Sequence, residues 1–170
     1  MQVSLMQNRR IKVSLEDVRD IMAEKLSNGG EILYSPKGIS MLPFIREGRD
    51  TVTLKKCDRD YKPGDMVFYR RPEGAFVLHR VIRVQKDGKY TMCGDNQSVL
   101  EADVDRDAII AIVCGLKRGE KEVNLNGLTH KIYVKLLFLR RFYIRCSRTN
   151  VLKAVLRKIK KLLKKRKDGE

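Results

Sequence analysis

Two residue types suited to acyl transfer can be located because the chain offers so few alternatives. Only two histidines occur, His79 and His130. His79 lies in Phe76-Val77-Leu78-His79-Arg80-Val81-Ile82, an apolar run that reads as a core strand, whereas His130 adjoins a basic segment without a strand pattern. Imidazole titrates near neutrality, so a rigidly held His79 can take a proton from a nucleophile and return it to a leaving amine. A serine hydroxyl keeps its own proton at neutral pH unless such a base stands beside it. Ser40 lies in Lys37-Gly38-Ile39-Ser40-Met41-Leu42-Pro43. There Gly38 permits an unusual backbone angle and Pro43 stops a regular element, so the hydroxyl is expected on a tight turn. A strand histidine is more often structural, and spacing alone does not establish the pair.

The surrounding motifs add to it. Gly38-Ile39-Ser40-Met41-Leu42-Pro43, Pro63-Gly64-Asp65-Met66-Val67, His79-Arg80-Val81 and Gly94-Asp95-Asn96 follow one another in that order. Together they resemble the ordered boxes of type I signal peptidases and their LexA-like relatives, over residues 38–96. The resemblance implies a serine endopeptidase acting on an extended polypeptide, such as a leader or signal peptide. It makes Ser40 the nucleophile and His79 the base, as in the histidine branch found in archaeal and endoplasmic-reticulum signal peptidases. It also implies an oxyanion hole of main-chain amides that includes Ser40's own, a donor worth about 3 kcal/mol of barrier. The family places an aspartate shortly after the G-D-N box. Here Glu101 stands near that position and Asp103 two residues later, and both remain candidates to orient His79. Gly38, Met41, Pro43 and Asn96 belong to the supporting set. Asp95 is expected to brace its loop by accepting backbone hydrogen bonds, and Arg80 is either a neighbour of the site or a solvated strand arginine.

These residues need a scaffold, and the pattern supplies one. Ser14 is a plausible N-cap for a helix over residues 15–27, stopped by Asn28-Gly29-Gly30, within a helical segment 1–30. From Glu31 the pattern becomes short apolar or alternating runs with turn residues between them. Strands are expected over 32–36, 51–56, 65–70, 76–84, 89–93 and 108–116. Pro63-Gly64 suits a type II turn and Asp87-Gly88 a tight hairpin. Residues 31–128 therefore read as a mostly β domain, which the resemblance makes a signal-peptidase-like or LexA-like antiparallel fold.

Residues 129–170 read as a basic tail, with Val151, Leu152, Val155, Leu156, Ile159, Leu162 and Leu163 on one helical face and lysines around them. Residues 131–170 carry +13 of the net charge of +16, leaving +3 for residues 1–130. The tail suits an anionic membrane surface through residues 151–167, or a helix packed on the body. A nucleic acid is not the expected partner, because neither helix-turn-helix nor zinc-finger spacing is present. No stretch approaches a spanning helix, Ile132 to Ile144 being broken by Lys135, Arg140 and Arg141. The expectation is a cytoplasmic protein, peripheral at the inner face of the membrane if it meets lipid. Cys57, Cys93, Cys114 and Cys146 stand singly, without metal-ligand or redox spacing, so neither metal nor cofactor is expected. The competing class is a non-catalytic basic module that engages anionic membrane or nucleic acid. A binding module has no need of Ser40 together with His79.

Overall fold

Alternating side chains dictate the architecture, because a strand that buries one set of residues must turn the other set away. The computed structural model describes residue 22, residues 24–148 and residue 157. Its strands are β1 (Ile32–Tyr34), β2 (Asp50–Lys55), β3 (Met66–Arg70), β4 (Phe76–Val84), β5 (Tyr90–Cys93), β6 (Glu101–Val104), β7 (Ile109–Arg118) and β8 (Lys121–Glu122). They form one antiparallel sheet in the order β1-β2-β7-β3-β4-β5-β6, with β8 paired to β7. The protein is mostly antiparallel β, as its pattern predicts. The six expected strands lie within two residues of their expected bounds, while β6 and β8 are additional.

β3 is buried from Met66 to Tyr69, and the reason is that both of its faces are covered. Met66 and Phe68 enter a core with Val52, Leu54, Leu78 and Ala111, whereas Val67 and Tyr69 enter a second with Val81, Tyr90 and Met92. The Pro63-Gly64 turn has Gly64 at φ 99° and Asp65 N–H donating to Lys62 O at 3.0 Å, the geometry a type II turn requires. Gln85 and Lys89 close the hairpin around Asp87-Gly88 at 2.7 Å.

After Gly127 the chain enters a helix, α1 (Leu128–Arg148). It begins where the strand pattern fades, Leu137 on it is buried, and Tyr133 and Arg141 bond to Asp95 and Gly94. At the other end, residues 24–27 are helical and Leu26 is buried in the first core. The rest of the helix expected over 15–27, and the apolar stripe and basic run expected over 151–167 apart from Arg157, lie outside the described residues. All four cysteines are free thiols. Among the described residues no helix is long and apolar enough to cross a membrane, and no group of His, Cys, Asp and Glu side chains could hold a metal ion.

Candidate active site

Ser40 is held by two anchors. The first is its own turn, closed by Leu42 N–H to Ile39 O at 3.2 Å and by Ile45 N–H to Met41 O at 2.9 Å. Met41 and Ile45 are buried in the first core, so the turn is tied down by apolar contact immediately after the half-exposed serine. Gly38 takes φ 86°, a left-handed angle suited to glycine, and its N–H donates to Glu47 Oε2 at 2.7 Å. Pro43 follows a cis peptide bond. The second anchor is the Gly94-Asp95-Asn96 loop, where Asn96 donates from its backbone to Ser40 O at 2.8 Å and from Nδ2 to Ile39 O at 3.2 Å. Glycine is required at 94 because a Cβ there would stand 2.6 Å from Ser40 O and 3.0 Å from Ser40 Cβ.

His79 comes from the middle of β4, opposite Val67 of β3. It is 1 % exposed, yet it lines a cleft of about 440 Å³ together with Gly38, Ser40, Met41, Arg71 and Asn96. Arg71, Asn96 and Gln97 also line a neighbouring cleft of about 1240 Å³. Ser40 and His79 share the smaller cleft without a hydrogen bond between them among the described residues.

Behind the ring lies a polar network. Glu101 Oε1 stands 3.1 Å from His79 Nδ1, and Tyr69 Oη stands 3.2 Å from the same nitrogen. Tyr69 donates its hydroxyl proton to Glu101 Oε2 at 2.5 Å, and Arg71 grips the carboxylate with Nε at 2.8 Å and with Nη2. With Glu101 ionised, only a proton on His79 Nδ1 satisfies this arrangement, which leaves the Nε2 lone pair free to act as a base.

The protonation states follow from the same contacts. Burial drives His79 down from its ordinary 6.5 to about 4, outweighing the opposing pull of the Glu101 carboxylate, so the ring is neutral at pH 7. For Glu101, burial works to raise the pKa, but hydrogen bonds from Arg71 and Tyr69 outweigh it and hold the group below the usual carboxylate value. Burial, with Glu101 beside it, raises the Tyr69 hydroxyl, which remains protonated. The hydrogen bond to Glu101 likewise raises Arg71, which remains charged.

Arg80, next to His79 on the strand, points to the other face. Its Nε and Nη2 each meet an oxygen of Asp95 at 2.8 Å, and Nη1 donates to Gly64 O at 2.7 Å. Both partners are 0 % exposed. The strand arginine is therefore not solvated, and Asp95 braces its loop through side-chain donors, Arg80 and Tyr133 Oη at 3.0 Å, where backbone donors were expected. Phe44 and Tyr133 lie 5.5 and 5.9 Å from the guanidinium, within cation–π range.

Of the two carboxylates expected near the base, Glu101 meets His79 and Asp103 does not. Asp103 instead accepts from Gln85 Nε2 at 3.1 Å. His130 does not line the cleft of Ser40 and stacks on Phe44 at 4.8 Å. Two residues of the network, Tyr69 and Arg71, are missing from the sequence-based expectation. A signal for Tyr69 existed in the period of two, because Val67 and Tyr69 share a face and a hairpin from β3 to β4 brings that face onto His79. α1 adds a further support that the sequence left unread, since Arg141 Nη2 donates to Gly94 O at 2.6 Å. Neither a protein-family model nor a curated protein nor a solved structure matches the chain.

Proposed function

We propose that this chain is a serine endopeptidase of signal-peptidase type, in which Ser40 attacks a peptide carbonyl and His79 serves as general base. The observation that carries the reading is a neutral, Nδ1-protonated His79 sharing a cleft with a turn-borne serine, its ring backed by an ionised carboxylate. In the forward step Ser40 Oγ bonds to the carbonyl carbon and its proton passes to His79 Nε2. The resulting imidazolium is stabilised by Glu101, and the proton then goes to the leaving amine as the peptide bond breaks. Water repeats the sequence to release the acyl group. The Ser40 N–H makes no hydrogen bond among the described residues and so can donate to the oxyanion. The order of the S-M-x-P, H-R-V and G-D-N motifs supports a signal-peptidase-like or LexA-like arrangement of the sheet. The two clefts that share Arg71, Asn96 and Gln97 suit a substrate longer than a single residue pair. Glu101 is the orienter in this reading, with Tyr69 and Arg71 as positioning residues behind it.

The test is to incubate the protein with a diverse set of extended peptides and to identify cleavage products by mass spectrometry, in parallel with Ser40→Ala. The expected outcome is cleavage at defined bonds by the wild type and none by the variant. Equal cleavage by both, or none by the wild type across the set, would overturn the assignment.

A further inference from the structure

α1 has two apolar faces, and the folded domain uses one of them. On the inner side Leu137 is buried, while Tyr133 and Arg141 reach Asp95 and Gly94. On the outer side Leu128, Ile132, Leu136, Leu139 and Tyr143 are 73, 48, 59, 62 and 63 % exposed. At about 100° per residue, steps of four, four, three and four keep these five side chains in one stripe. At about 1.5 Å per residue the stripe runs on the order of 22 Å along the helix. Single exposed leucines are ordinary on protein surfaces, whereas a continuous apolar row marks contact with another apolar phase.

The charges identify that phase. Residues 128–148 contain six Lys and Arg and no Asp or Glu. Lys131 and Lys135 border the stripe on one side and Arg140 on the other, all three exposed. A second copy docking through the same stripe would set these cations against their own equivalents. A nucleic acid offers phosphates but nothing to receive a row of leucine and isoleucine side chains. An anionic lipid surface offers both an acyl boundary and negative headgroups.

We propose that the outer face of α1 lies in the plane of an anionic bilayer surface, with the stripe at the acyl boundary and Lys131, Lys135 and Arg140 among the headgroups. The surface is thus built into the folded domain and is separate from the basic run at 151–167. Because the inner face of the same helix holds the loop that anchors Ser40, docking fixes the orientation of the cleft relative to the lipid. That consequence rests on the peptidase reading, while lipid binding itself does not.

The experiment uses the full chain and vesicles of phosphatidylcholine with or without phosphatidylserine, followed by cosedimentation at low salt. The wild type is expected to pellet with the phosphatidylserine vesicles. A Leu136→Glu/Leu139→Glu variant is expected to partition about tenfold or more weakly, with an unchanged circular dichroism spectrum because both positions are exposed. A second measurement stands if that variant fails to fold. The chain has no tryptophan, so Leu136→Trp supplies a lone reporter whose emission should shift to the blue on phosphatidylserine vesicles and be quenched by brominated acyl chains. Wild-type indifference to phosphatidylserine, unchanged partitioning of the double glutamate variant, or an unshifted reporter would each overturn the proposal. So would a dimer in analytical ultracentrifugation that the double variant dissolves, since the stripe would then be a self-interface. None of these readouts involves peptide cleavage, so their failure leaves the Ser40 assignment untouched.

Discussion

His79 and Arg80 are neighbours on β4, and the pleat sends them to opposite faces of the sheet. On one face His79 keeps access to a cleft, and its partner Glu101 is shared with Tyr69 and Arg71. On the other face Arg80 and Asp95 are fully enclosed and meet each other through two bonds of 2.8 Å. The first arrangement leaves a proton free to move, because the ring is neutral and one nitrogen faces the cleft. The second locks both charges, because an enclosed ion left without its partner is strongly unfavourable. A single strand thus carries a cleft-lining histidine and a clamp that holds the loop against the Ser40 turn.

If the proposed peptidase reading holds, the largest expected effect falls on the His79 face. Ser40→Ala and His79→Ala should each lower turnover of a cleaved peptide by on the order of 10⁴-fold or more, and the double variant should fall no further, since the two act as one unit. Steady-state rates that multiplied across the two substitutions would break the pairing. On the enclosed face, Asp95→Ala should lower stability by about 3–5 kcal/mol, read as a lower urea midpoint, because it strands Arg80 in the interior. An unchanged midpoint would remove the contrast between the faces.

The next effect is in the pH dependence of stability. His79 has a folded pKa of about 4 against 6.5 when unfolded, so the unfolded chain binds the extra proton between those values. The contribution is fully present above pH 6.5, declines as pH falls toward 4, and amounts to roughly 3 kcal/mol. Urea titrations of wild type and His79→Gln from pH 7 to pH 4 should show this slope in the wild type alone. Equal slopes would mean that His79 is not held neutral by burial.

Glu101→Gln should reduce turnover by on the order of 10²-fold, since the imidazolium formed during attack loses its counter-charge. Because the carboxylate raises the His79 pKa against burial, the acid limb of the rate profile, expected near pH 4, should move to lower pH in this variant. A limb that moved upward would contradict the assigned contact. The smallest effect is expected for Asp103→Asn, which should change turnover negligibly and thermal stability by less than about 0.5 kcal/mol. A large loss of turnover there would return Asp103 to the site.

Much of this organisation is local and therefore readable in the chain. Gly38, Pro63-Gly64 and Asp87-Gly88 announce turns because few other residues take those backbone angles, the period of two announces β2, and an apolar run announces β4. The order of the motifs singles out Ser40, His79 and the Gly94-Asp95-Asn96 loop. What the chain does not announce is which carboxylate reaches the base. Glu101 and Asp103 are two residues apart and should share a strand face, but the pairing of β6 with β5 carries an irregularity there, and Asp103 takes φ 59°. That left-handed residue breaks the alternation and turns its carboxylate toward Gln85. The same limit hides Arg71, Tyr133 and Arg141, which act on residues 30, 38 and 47 positions away. Sequence by itself determined the turns and strand faces, because those depend on neighbours in the chain. Only the tertiary structure decided the partners of His79 and Asp95, because those depend on register, a bulge and the seating of a helix.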